Sequence, residues 1–302
     1  MTDPPGPVRP RPPVRLVHEW EHSPAGTRCQ ASTVFLVGAR CPFACVFCDL
    51  GQYTIGGPTP PGAITGQLDW ALSRIVHRDR IKLYNASNFF DERAIPAAED
   101  RDIVERLHRF AEVVVECHPC LIGDRCFAFA DRLAGRLQVA LGLETAHPET
   151  LERLNKGMTL ADFDRAAETL RRHRIGLRAF VLVGAPFLTA SEQHTWTLRS
   201  VDHAVAQGAE QVSLIPVRPQ AELDGLSSQG KWLQPSFARF ESVVESAVDS
   251  HGRLVQADLW DLERLSTCAV CLPARRNRLD AMNRDGRIHP AVGCSRCERV
   301  AS

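Results

Sequence analysis

The sequence predicts an α/β fold, a partial (βα)6 TIM-like barrel with a small C-terminal four-cysteine metal-binding module, and three observations predict it. Short apolar, β-rich runs alternate with amphipathic stretches, the pattern of repeated βα units around a parallel sheet. Three cysteines crowd one loop directly after the first of these runs. From Thr267 the chain changes character, becoming short, arginine-rich and punctuated by two C-x2-C pairs. A length of 302 residues suits one such domain with an appendage.

Residues 1–27 open with MTDPPGPVRPRPP, proline-rich and without an apolar h-region, so they are expected to form a flexible leader. Strands are predicted at Thr33–Val37, Ile81–Tyr84, Val113–Glu116, Gln138–Leu143, Leu177–Val183 and Gln211–Pro216. Helical patterns lie between them near 65–78, 100–110, 124–134, 147–174 and 190–207, giving a barrel over residues 28–225. A helix near 235–250 and the run Leu254–Ala257 are expected to form a cover within 226–266, and 267–302 to be the cysteine tail.

Composition narrows the function classes. Lys+Arg and Asp+Glu both number 36, which does not indicate a strongly electrostatic nucleic-acid binder. Eleven cysteines, clustered and without a signal peptide, point to reduced thiols serving metals, and the expected compartment is the cytoplasm. No run approaches a membrane span, so no membrane partner is expected.

The run Cys41-Pro42-Phe43-Ala44-Cys45-Val46-Phe47-Cys48 has the spacing C-x3-C-x2-C. Three thiolates hold three corners of a 4Fe–4S cube, which four cysteines would close, so one iron stays open. An open metal position is where chemistry occurs. The alternatives are a zinc loop, which would want a fourth ligand close by, or three core thiols, which Pro42 and Asp49 in a loop-like segment argue against.

The motif, with Phe47 just before its third cysteine, resembles the signature of the radical S-adenosylmethionine (SAM) superfamily. That resemblance implies that the open iron binds SAM, that Cys41, Cys45 and Cys48 carry the chemistry, and that Phe47 lies near the adenine. It also implies a 5′-deoxyadenosyl radical that abstracts hydrogen from a substrate, and an electron donor of the flavodoxin or ferredoxin type.

Polar strand ends suit a SAM pocket. Asn85, Ser87 and Asn88 form a small polar turn whose carbonyls could accept from the SAM ammonium, although many relatives carry Gly-Gly-Glu there and an ordinary βα turn is the alternative. Glu116 and Glu144 end the third and fourth strands, where carboxylates can accept ribose hydroxyls. The stretch from Gly142 to Lys156, and Gly184-Ala185-Pro186 with Glu192, resemble the elongator-catalytic-subunit branch, the methylthiotransferases and the oxygen-independent coproporphyrinogen oxidases. This implies Glu144 near the ribose, Lys156 near the SAM carboxylate and Gly184 near the adenine. The alternative for Lys156 is a solvated charge at a helix C-terminus. Arg218 ends the sixth strand and points either into the barrel mouth or to solvent.

Cys268, Cys271, Cys294 and Cys297 form two C-x2-C knuckles with 22 residues between them, which favour zinc over an auxiliary iron–sulfur cluster. Arg275, Arg276 and Arg278 between the knuckles are candidates for RNA phosphates or for a solvated face. Cys117, Cys120 and Cys126 are expected to be core or near-site thiols, and Cys29 structural.

Within the elongator-like branch, the stretches Lys82–Asp91 and Gly142–Lys156 are most similar to the radical SAM subunit of archaeosine synthase. The resemblance implies a 7-deazaguanine base on tRNA as substrate and a partner subunit that attaches lysine to it. A peptide or small-metabolite substrate is the alternative within the same chemistry, and a non-catalytic Fe–S or zinc-binding adaptor is the alternative outside it.

Overall fold

The computed structural model describes residues 15–23, 25–266 and 268–297. The expected leader lies partly outside them, at residues 1–14 and Pro24, as do the last five residues of the tail. Eight strands follow one another in sheet order: β1 (Arg15–His22), β2 (Arg28–Leu36), β3 (Arg80–Asn85), β4 (Glu112–Cys117), β5 (Arg136–Glu144), β6 (Gly176–Val183), β7 (Gln211–Pro216) and β8 (Val255–Ala257). The pairs β2–β3, β3–β4, β6–β7 and β7–β8 are parallel. This is the α/β partial (βα)6 TIM-like class, with β2 to β7 as its six predicted strands. Those six are legible because parallel strands bury both faces and read as apolar runs, as in the wholly buried Leu137–Glu144.

Within the leader expected over 1–27, residues Arg15–His22 form strand β1 instead. It hides from periodicity because its inward positions are glutamates. Glu19 accepts from Thr33 Oγ1 at 2.9 Å and from Lys82 Nζ at 2.5 Å, while Glu21 takes both Nη atoms of Arg178 at 3.0 and 2.6 Å. Glu21 and Arg178 are essentially fully buried, so each charge depends on the other. The run near 254–257 is β8, a further strand in the sheet.

The chain divides into two compact units. The first holds residues up to 19, 30–42 and 50–138. Its core packs Val34, Ile81, Leu83 and Val113–Val115 of the sheet with Ile64 and Leu68 of α1 (Ala63–Leu72) and Ile103 of α2 (Asp100–Leu107). Phe89, Phe90 and Phe129 of α3 (Asp124–Arg132) meet edge to face beside the turn that follows β3.

The second unit holds 20–29, 43–49 and 139 onward. The helix expected over 147–174 is two, α4 (Pro148–Arg153) and α5 (Leu160–Arg172). Left-handed Asn155 (φ 55°) and Gly157 (φ 74°) break it, and a Thr159–Asp162 capping box starts α5. Helices α6 (Ala190–Ala206), α7 (Ala221–Ser228) and α8 (Phe237–His251) follow.

The tail carries a helix that periodicity missed, α9 (Leu272–Asp285). Arg275 pairs with Glu241, and Arg278 with Glu245 at 2.6 Å, so α9 docks on α8 and these two arginines are not solvated phosphate contacts. The Asn283 amide pairs with both backbone groups of Ala257 on β8, at 2.7 and 2.8 Å.

Candidate active site

The motif loop follows β2, at the carboxyl end of the parallel strands where barrels of this class place their chemistry. Cys45–Cys48 and Phe43 lie in the second unit, and the chain just past α4 holds them there. Val46 N donates to Leu154 O at 3.1 Å, Asn155 Nδ2 to Ala44 O at 2.9 Å, and the Phe43 ring lies against Gly157. Asn155, which motif reasoning missed, holds the loop by its bond to Ala44 from a left-handed backbone. Phe47 is half-buried against the cluster of Leu154, Leu182, Leu188, Val217 and Trp232. Trp232 donates to Gly184 O at 3.0 Å, and Gly184 (φ 81°) has no room for a Cβ beside the Pro235 ring. Gly184 is therefore fixed by packing as well as by its φ.

Cys41 lies in the first unit, where Asn88 Nδ2 donates to its Sγ at 3.5 Å. An amide N–H aimed at a thiolate stabilises the charged form a metal requires. Beside it, both polar atoms of the Asn85 side chain and Ser87 Oγ are buried with no hydrogen-bond partner. Asn85 is only 4% exposed, and unsatisfied polar groups at that depth cost about 1–3 kcal/mol each. Such atoms fit a site that expects a polar ligand. Glu116 braces the same turn by accepting the backbone N–H of Asn85.

At the end of β5, in the second unit, Glu144 and Lys156 form a buried ion pair of 2.5 Å. Lys156 is thus no solvated charge: it is one of three lysines in a chain that otherwise uses arginine. A Cβ on Gly142 would run into both charged groups, so the pair would have to shift to make room for it. Glu144 also takes φ 64°, an outlier for a bulky residue. Arg218, a candidate for the barrel mouth, ties β7 to the segment after β8. It pairs with Asp258 at 2.6 Å and donates to the Trp260 carbonyl.

The four tail cysteines converge, with all Sγ atoms within 4.8 Å of one another. The Cys268–Cys294 and Cys271–Cys297 separations are 3.9 and 3.7 Å. Four thiolates about 2.3 Å from one tetrahedral ion stand about 3.8 Å apart, so the set suits a single ion. A cubane would spread its thiolates further, each beyond a different iron. Backbone N–H groups of Cys271 and Val270 lower the Cys268 thiol to about 6, and those of Cys297 and Arg296 lower Cys294. Sulfur neighbours push Cys297 up to about 12, and burial raises Cys271. Four thiolates this close need a cation to be charged together.

Burial raises Cys117, and pushes Cys126 up to about 12, the behaviour of inert core thiols. Cys120 is exposed, with its Sγ 3.0 Å from His118 Nδ1. All eleven cysteines are thiols rather than disulfides, and no helix among the described residues is long and apolar enough to cross a membrane.

No protein-family model matches the chain. Archaeosine synthase subunit beta from Methanosarcina acetivorans is 24% identical over 246 residues, covering 76% of this chain and 70% of that protein. An uncharacterized protein from Methanocaldococcus jannaschii is 26% identical over 164 residues, and the match spans 51% of this chain and under half, 45%, of that relative. Among solved structures, a radical SAM methyltransferase from Sphaerobacter thermophilus superposes with a TM-score of 0.52 at 15% identity, covering 83% of this chain and 78% of the other, a likeness of fold. The fold is like that of radical SAM enzymes, and the C-x3-C-x2-C loop resembles their signature motif. A curated relative that the chain resembles is archaeosine synthase subunit beta.

Proposed function

We propose that Cys41, Cys45 and Cys48 hold a 4Fe–4S cluster and that the chain cleaves SAM reductively, directing the resulting radical to hydrogen abstraction from a bound substrate. The observation that carries this is the C-x3-C-x2-C loop at the carboxyl end of the parallel strands, beside buried polar atoms that lack partners. When bound, the cluster and SAM supply one-electron cleavage to methionine and a 5′-deoxyadenosyl radical, the electron coming from a flavodoxin- or ferredoxin-type donor. The protein's own part is to bind, orient and exclude water. Asn88 stabilises the Cys41 thiolate, the Asn85–Asn88 turn offers acceptors to an ammonium, Glu144 and Glu116 offer carboxylates to a ribose, and Lys156 a cation to a carboxylate. Phe47, Gly184 and the Arg218 segment wall the adenine side.

The resemblance to archaeosine synthase subunit beta supports a 7-deazaguanine base on tRNA as substrate, with a partner subunit acting before this one. In the tail, the sulfur spacing supports zinc, and the set of reduced thiols supports a cytoplasmic setting. Anaerobically reconstituted protein, reduced and given SAM, is expected to release 5′-deoxyadenosine and methionine, and modified tRNA when supplied with the lysine-bearing precursor. No deoxyadenosine from fully iron-loaded, reduced protein would leave an adaptor as the better account.

A further inference from the structure

One side chain, four residues before the four-cysteine site in sequence, reaches the residue that follows the motif loop. Arg264 lies in the short 3-10 turn Leu262–Leu265, four residues before Cys268. Leu262 and Leu265 are buried and fix the turn, and Gln234 Nε2 donates to the Arg264 carbonyl at 3.0 Å. From there the guanidinium reaches Asp49, the neighbour of Cys48, at 3.5 Å, and also donates to the Pro219 carbonyl. On the other side the chain runs straight into the sulfur tetrad. Cys268 N donates to Ser266 Oγ at 3.2 Å, and the next ligand, Cys271, is the N-cap of α9. That helix is itself anchored on α8 and β8 by Arg275, Arg278 and Asn283.

We infer that Arg264 is a positioning residue for the motif cluster, and that an ion in the tail tetrad sets how firmly it acts. Resting on the cluster reading above, the role follows from connectivity. A metal that ties Cys268 and Cys271 to Cys294 and Cys297 joins the Arg264 turn to the docked helix, so the guanidinium is held over Asp49 instead of swinging with a loose segment. Half-exposed ion pairs are weak when their side chains are free, and gain from being held in place. Mis-setting Asp49 moves Cys48 through the backbone they share, and a ligand that loses its orientation commonly costs about 10–100-fold in metal affinity. The tail is then a brace for the cluster loop as well as a fold of its own.

The test uses full-length protein reconstituted anaerobically with iron, sulfide and zinc. Iron loss to a ferrous chelator is followed in wild type, Arg264→Gln, Arg264→Lys, Asp49→Asn and Cys294→Ser. Arg264→Gln is expected to lose cluster iron about 10-fold faster, Arg264→Lys to recover part of the difference, and Asp49→Asn to match Arg264→Gln. Cys294→Ser should accelerate loss similarly, and combining it with Arg264→Gln should add little, as for two changes on one path. The electron paramagnetic resonance spectrum of the reduced cluster on adding SAM should shift in Arg264→Gln, which a purely structural arginine would leave unmoved. Wild-type iron retention in both Arg264→Gln and Asp49→Asn, or fully additive effects with Cys294→Ser, would overturn the role. The triple alanine variant of Cys41, Cys45 and Cys48 runs alongside. Unchanged iron there would instead overturn the cluster reading, and the positioning role with it.

Discussion

Glu144 and Lys156 share a buried 2.5 Å ion pair that lies over Gly142, in the one space along β5 where a strand residue without a side chain leaves room for two opposite charges. Lys156 lies twelve positions beyond Glu144, and the left-handed turn at Asn155 returns the chain so that they meet.

Gly142→Ala is therefore expected to destabilise the second unit by about 1–3 kcal/mol, as overpacking does, and to weaken SAM binding at the same time. Chemical denaturation and calorimetry check the two effects, and an alanine variant with wild-type values in both would show that the space is not needed.

Removing one partner is expected to be worse than crowding both. Glu144→Ala takes its carboxylate partner from the buried Lys156 ammonium, at about 3–5 kcal/mol, and removes hydrogen bonds to a ribose worth about 1–3 kcal/mol of SAM affinity. Titration of SAM into anaerobic protein reads the second quantity separately from the melting midpoint.

Cys45→Ala is expected to lose the motif iron, about four per chain, while keeping the circular dichroism of the fold, because Cys45 is a part-exposed loop residue. Iron analysis of anaerobically prepared protein decides it.

Cys271→Ser with Cys294→Ser is expected to abolish binding of one zinc per chain and to make residues 268–297 susceptible to limited proteolysis, since so short a segment folds with its metal. About eight irons and no zinc in the wild type would replace this account with an auxiliary cluster.

Two histidines about Ser32 give a pH dependence. Ser32 Oγ lies between His18 Nδ1 at 2.7 Å and His77 Nε2 at 2.6 Å. Burial lowers the His77 pKa below its ordinary 6.5, against the opposing pull of Asp79. The folded state therefore holds fewer protons than the unfolded one just below pH 6.5, so stability is fully present above that value and declines as pH falls through the folded pKa. Denaturant midpoints between pH 5 and 7.5 should show this slope, and His77→Gln should flatten it.

Much of the architecture was legible where chemistry repeats along the chain. Strands β2 to β7 announce themselves because a parallel strand covered on both faces is nearly all apolar, and the cysteine motifs because metal ligands cluster in sequence. Strand β1 was not legible, since Glu19 and Glu21 read as polar surface until Lys82 and Arg178 arrive from distant strands. Helix α9 lacks an apolar stripe because Arg275 and Arg278 dock it through charge. At the site, motif spacing marked the candidate ligands and strand ends, but not Asn155 or Arg264, whose contacts come from a backbone turn and from partners more than a hundred residues away.

The Asn283 side chain imitates a neighbouring strand. By matching both the donor and the acceptor of Ala257, it closes the open margin of the sheet with a single amide borne on a helix. Exposed margins of this kind recruit other chains, and native proteins blunt them by covering or charging them. Asn283→Ala or loss of α9 would therefore turn the margin at β8 adhesive, and self-association at high concentration, seen by light scattering, would be its first sign, ahead of any fall in folding stability.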